Sequence, residues 1–70
     1  MKKSFYYLMP CSRSAGLIRK FRRHGIVFDV EAIRNSDNVW FVFPDLPVLQ
    51  YHVVHLMFGK AGEAYLLSGE

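Results

Sequence analysis

Three groups of side chains in this chain have types and spacings that chemistry uses. Met9, Cys11 and Ser14 fall together in the run MPCSRS. A thiol near a helix start and beside Arg13 has a setting found at reactive cysteines. His52 and His55 are three residues apart, so on a helix they face one side and could share a metal ion. Arg13, Arg19, Lys20, Arg22 and Arg23 place five cations within eleven residues, a concentration that attracts phosphates or carboxylates.

The first two groups are incomplete as reaction centres. Cys11 has no histidine beside it in sequence to act as a base. His52 and His55 lack a nearby Cys, Asp or Glu to finish a ligand set, and read as surface or interface histidines. His24 falls where a first helix should end, a place that suits its partial positive charge. The chain has no glycine-rich phosphate loop, no recognisable Ser-His-Asp arrangement and no paired carboxylates on one helix. The expectation is a non-enzymatic protein that holds neither a metal nor another cofactor.

The elements that must carry these residues follow from periodicity. Residues 4–10, SFYYLMP, read as a strand. Residues 12–25 read as a helix with Leu17, Ile18 and Phe21 inward and Gly25 as C-terminal cap. Residues 26–33 alternate, with Ile26, Phe28 and Val30 opposite Asp29 and Glu31. The turn NSDN at 35–38 then leads to VWFVF, so strands two and three form a hairpin. Asp45 is the expected N-cap of a second helix, with Pro47 in its first turn and glycines 59 and 62 bracketing its end. EAYLL, residues 63–67, makes a last short strand. The order βαββαβ over residues 1–70 predicts a single α+β domain, a ferredoxin-like plait with a four-stranded antiparallel sheet and both helices on one face.

Composition narrows the classes further. Half of the 70 residues are hydrophobic, which excludes disorder, and one cysteine cannot build an internal disulfide framework. The apolar run from Leu46 to Gly59 is too short to cross a bilayer, and Phe5–Pro10 is too short for the apolar core of a secretion signal. A soluble, cytoplasmic chain without a membrane partner is expected. Residues 1–25 carry seven positive charges and no acid, whereas the remainder is net acidic, so one face should attract anions.

Three local resemblances bear on function. The loop of Met9, Cys11 and Ser14, between a strand and a helix, resembles the M-x-C-x-x-C loop of the heavy-metal-associated domains of copper chaperones. Met9 and Cys11 match it, but Ser14 replaces the second cysteine, and monovalent copper wants two thiolates there. The expectation is instead a turn in which Ser12 or Ser14 caps the helix and Cys11 packs at the strand end. Free N–H groups in such a turn could also hold a phosphate or carboxylate. LMPC resembles a lipoprotein cleavage site, with Met9 and Pro10 where small residues are wanted. DNVWFVFP resembles the third-strand signature of RNA-recognition motifs, with Asp37, Val39 and Pro44 departing from it. The aromatic sheet face that this implies would draw on Tyr6, Tyr7, Leu8, Trp40, Phe41 and Val42, with Asp29 and Glu31 nearby to repel phosphates.

Surfaces remain as the strongest signals. A helical wheel puts Arg13, Arg19, Lys20, Arg22 and Arg23 on the outward arc of the first helix, with Ala15 and Gly16 among them. On the second helix Leu46, Leu49, Val53, Leu56 and Met57 form the expected core stripe. That leaves Val48, Tyr51, Val54, His55 and Phe58 outward as a partner-binding face. The expectation is a small inhibitor or regulator that docks on a protein, including one in a nucleic-acid-handling complex, with the basic arc steering the encounter. Its size and surface suit a phage or mobile-element inhibitor, of which anti-CRISPR proteins are one class. A homodimer joined through sheet faces would also relieve the small core. The alternatives are a nucleic-acid-binding module using the basic arc, and a dimeric α+β barrel, ligand-binder or enzyme, with a pocket near His52 or Tyr7.

Overall fold

The computed structural model describes residues 2–65. Strand β1 (Phe5–Pro10) leads into helix α1 (Cys11–Arg23), followed by β2 (Asp29–Ala32), β3 (Asn38–Phe43), helix α2 (Val48–Phe58) and β4 (Glu63–Ala64). The four strands form one antiparallel sheet in the order β2-β3-β1-β4. This is an α+β architecture with β1 and β3 central. Leu66 and Leu67, expected in the last strand, lie outside the described residues.

Side-chain alternation in the central strands sorts the sheet into two faces. Tyr7 opposes Phe41 and Phe5 opposes Phe43 in register, so these rings share one face. Phe21 of α1 meets Phe41 and Phe43 edge-on at 5.9 and 5.5 Å. Phe58 of α2 stacks flat on Tyr7, with ring centroids 3.9 Å apart, and also meets Phe41. Both helices therefore cover the same face, and the core between the layers is largely aromatic. Such ring pairs add about 0.5–1.5 kcal/mol each beyond their burial, which matters in a chain too short for a large core.

Helix α1 keeps the expected faces. Phe21 is buried, and Leu17 and Ile18 pack against the core. The helix ends as the Gly25 signal predicts. Gly25 takes φ +68°. Its N–H donates to the Arg22 carbonyl, and the Ile26 N–H donates to that of Phe21. This is the paired C-terminal bonding of a Schellman motif, with Ile26 returning to the core beside Phe21.

Four local expectations are corrected. Neither Ser12 nor Ser14 caps α1: Pro10 is the N-cap residue, without a side-chain cap. Ser14 is buried in the first turn and donates from Oγ to the Cys11 carbonyl at 2.7 Å. Cys11 does not pack as a small hydrophobe but is exposed. Asp45 does not cap α2, which starts after Pro47. The Asp45 carboxylate instead accepts from Ser4 Oγ at 2.6 Å.

The largest correction concerns the faces of α2. Val54 is fully buried and Phe58 packs into the core, so neither belongs to an outward partner-binding face. Leu49 and Leu56, expected inside, are 80% and 64% exposed. Leu46, Val53 and Met57 pack against the core as expected, so the inward direction is rotated from the expected one by less than one residue, under about 100° of helix. The cause is physical. From Val48 to Phe58 the helix has no Lys, Arg, Asp or Glu, so its sequence carries almost no phase, and the fit of Phe58 over Tyr7 decides which side goes in.

Candidate functional site

The outer side of the helix layer brings two different surfaces together. Pro10 pairs with Asn38 at one end of the sheet and Phe5 with Phe43 at the other. Helix α1 leaves the Pro10 end and α2 follows the Phe43 end, so the helices run in opposite directions. The C-terminal end of α1 and the N-terminal end of α2 therefore lie at the same end of the sheet.

Arg13, Arg19, Lys20, Arg22 and Arg23 are all exposed on α1. Among the described residues, Lys3–Glu31 is the one ion pair, so none of these five cations has a carboxylate partner there. Ala15 is exposed, and a Cβ built on Gly16 would meet nothing within 4 Å. The middle of this basic surface is low and open.

The α2 side is apolar. Val48, Leu49 and Leu56 are exposed large hydrophobic residues, and His52 is exposed between them. Positions 48, 52 and 56 form one ridge at four-residue spacing, with Leu49 beside it. Of the five residues expected to form the partner face, Val48 is 82% exposed and Tyr51 is 38% exposed, while His55 is half-buried. Tyr51 meets Phe5 edge-on at 5.2 Å and His55 at 6.4 Å, so both sit at the rim. Leu49 and Leu56 are the surface residues missed in the sequence, whereas His52 is on the surface as expected. The missing clue was direction, since the helix has no charged residue and its apolar residues fall on every side.

Neither chemical cluster of the sequence gathers further groups. Cys11 is exposed at the start of α1. His52 points outward while His55 turns toward Tyr51. Among the described residues no three of His, Cys, Asp and Glu come close enough to hold a metal ion. No helix among them is long and apolar enough to cross a membrane.

The other sheet face is an aromatic patch with acids around it. Register places Tyr6, Leu8, Trp40 and Val42 there, and turns Tyr7 and Phe41 to the helices. Tyr6, Trp40 and Tyr65 form a ring cluster with centroids 5.4–6.4 Å apart, over a fully buried Val42. Asp29 and Glu31 oppose Val42 and Trp40, and Glu63 opposes Tyr6. Lys3 closes the patch. It donates to Glu31 Oε2 at 2.5 Å and lies 5.0 Å from the Tyr65 ring centroid. The hydrogen bond to Glu31 holds the Lys3 pKa above its ordinary value. A cleft of about 280 Å³ opens beside this patch, lined by Tyr6, Leu8, Trp40, Lys60 and Glu63 among others. Tyr7 borders it from below, and its hydroxyl donates to the Lys60 carbonyl at 2.8 Å. Burial pushes the Tyr7 hydroxyl pKa up to about 12.

No family model matches the chain, and neither a curated protein nor a solved structure gives a significant match.

Proposed function

We propose that the protein is a non-enzymatic binding protein that docks on a protein partner through the outer side of its helix layer. The observation that carries this reading is the exposed stripe of Val48, Leu49 and Leu56 on α2, beside five cations on α1 that have no carboxylate partner among the described residues. Contiguous exposed apolar side chains mark contact surfaces, and charge at the rim speeds and orients the encounter. The partner surface has an apolar groove for the stripe and acidic groups facing α1. Small size and a recognition surface suit an inhibitor or regulator, of which phage anti-CRISPR proteins are one class. The same reading takes the fold as a ferredoxin-like plait. Its support is the antiparallel order β2-β3-β1-β4 with both helices on one face.

A second reading has its own observation. Five exposed cations on one helix, without carboxylate partners among the described residues, also suit phosphates, so α1 can serve as a nucleic-acid contact. One experiment separates the two. The wild type and a Leu49→Asp/Leu56→Asp variant are used as bait in nuclease-treated host lysate, and both are titrated with generic DNA and RNA across salt. Docking through the stripe predicts a captured protein that the variant loses, with an unchanged fold. Nucleic-acid binding that falls steeply with salt and ignores the stripe substitutions supports the second reading.

A further inference from the structure

A groove of about 470 Å³ runs between the C-terminal half of α1 and the outer edge of β2. Ile18 and Arg22 line it from the helix, and Val27, Phe28, Asp29 and Val30 from the strand side. Strand β2 is at the end of the sheet order, so among the described residues this edge has no neighbouring strand.

The hydrogen-bond phase shows which groups the edge presents. The Cys11 N–H donates to the Asp37 carbonyl. With the register of β1 and β3, this makes Met9–Val39, Tyr7–Phe41 and Phe5–Phe43 the directly bonded pairs. Trp40 and Val42 therefore turn their amide groups to β2, where they meet Glu31 and Asp29. Val30 and Ala32 are left with backbone groups pointing away from the sheet, and Phe28 precedes the strand at the same alternate spacing. The Val30 N–H confirms this direction, because it donates to the carboxylate of its own neighbour Asp29 at 3.0 Å. That carboxylate occupies the place where the carbonyl of an added strand would accept.

We propose that the free edge of β2 and the groove beside α1 receive an extended acidic peptide segment of a partner protein, which joins the sheet as a fifth strand. Backbone pairing with Phe28, Val30 and Ala32 supplies the sequence-independent part of such recognition. Side chains two apart in the peptide point to the same side, roughly 7 Å from each other. Ile18 and Arg22 are one helical turn apart, about 6 Å along the axis. A peptide with an apolar residue followed two positions later by an acid sets the first on Ile18 and the second on the Arg22 guanidinium. Among the described residues Asp29 is the one acid lining the groove, at the strand edge. On the helix side Arg22 has no carboxylate partner among the described residues and Arg19 lies one turn away, so the acid is selected where the peptide side chain meets α1. This site is separate from the α2 stripe and does not depend on it.

The test begins with a randomised eight-residue peptide library displayed on phage and selected against the full chain. Enrichment of an apolar-x-acid pattern is expected. A synthetic enriched peptide, titrated into ¹⁵N-labelled protein, is expected to shift the amides of Phe28, Val30 and Ala32 and leave Val48–Leu56 in place. Methylating alternate peptide nitrogens should weaken binding at least tenfold. Arg22→Glu should reverse the preference, so that the peptide with Lys in place of its acid binds at least tenfold more tightly than the original. Arg13→Glu and Leu49→Asp/Leu56→Asp should leave affinity within twofold, which keeps this site distinct from the α2 stripe. A library that yields no binder overturns the proposal. So do enrichment without acids, shifts centred on α2, or binding indifferent to N-methylation.

Discussion

Helices α1 and α2 lie side by side on the same sheet, yet their sequences specify orientation to very different degrees. In α1 the charged residues occupy one arc and Leu17, Ile18 and Phe21 the other, so any rotation would bury a guanidinium or expose a phenylalanine. Burying an unpaired charge costs several kcal/mol, and that penalty fixes the phase. In α2 no such penalty exists. Rotation exchanges one apolar side chain for another, and the choice falls to shape: Phe58 stacks 3.9 Å from Tyr7 and Val54 fills the space left over the sheet. Charge on the outward face thus specifies a helix orientation more firmly than hydrophobicity on the inward face.

The comparison is broken most directly by exchanging inner and outer residues of α2. Phe58→Ala removes a ring that contacts Tyr7, Phe21, Phe41 and Phe43. The expected cost is about 3–5 kcal/mol, a large share of the roughly 5 kcal/mol that a chain of this size holds. Leu56→Ala, on the exposed side, is expected to change stability by about 0.5 kcal/mol or less. Urea unfolding followed by circular dichroism measures both. A small effect at Phe58 with a large one at Leu56 would restore the orientation that the sequence suggested.

What was legible in the sequence follows the same logic. The element order, the hairpin turn and the Gly25 stop were readable because each rests on local chemistry that has few alternatives. The outward basic arc was readable because charge cannot go inside. The faces of α2 were readable only in part: Leu46, Val53 and Met57 pack inward and Val48 and Tyr51 lie outward as expected, but Val54 and Phe58 are inside instead of outside, and Leu49 and Leu56 outside instead of inside. The caps failed for a different reason. Ser14 and Asp45 are good cap types, but each has a competing bond, to the Cys11 carbonyl and from Ser4. The Ser4 contact spans 41 residues and has no signal in the local sequence.

A second test reaches the strand beneath α2. The Tyr7 hydroxyl sits at about 12 against an ordinary value of 10.0, because its burial disfavours the phenolate. The unfolded chain loses this proton first, so the neutral ring's contribution is complete below pH 10 and is lost as pH rises from 10 toward 12. Two pH units correspond to roughly 2–3 kcal/mol. Alkaline unfolding should show this decline, and Tyr7→Phe should flatten it after losing about 1 kcal/mol at neutral pH with the bond to Lys60. Lys3, also raised, contributes a loss in the same direction that Tyr7→Phe leaves in place. An unchanged alkaline profile in Tyr7→Phe would mean that water reaches the ring beneath Phe58.

The smallest expected effects come from two glycines of the α1 region, and their signs are opposite. Gly16 lies inside the helix, and an added Cβ would meet nothing within 4 Å. Gly16→Ala should therefore stabilise by about 0.5–1 kcal/mol through helix propensity alone. Gly25 follows the helix at φ +68°, where a side chain costs about 1 kcal/mol, so Gly25→Ala should destabilise by that amount. Thermal melts resolve the difference. Gly16 also tests the basic surface, because it lies among Arg13, Arg19, Lys20 and Arg23 on the outer side of α1. A partner that packs closely on this helix needs the low ground there, whereas steering from a distance does not. Gly16→Leu, folded and with every cation in place, should lower affinity at least tenfold if the partner touches the helix backbone. An unchanged affinity, with a salt dependence matching the wild type, would assign α1 to long-range steering and leave close contact to the exposed stripe of α2.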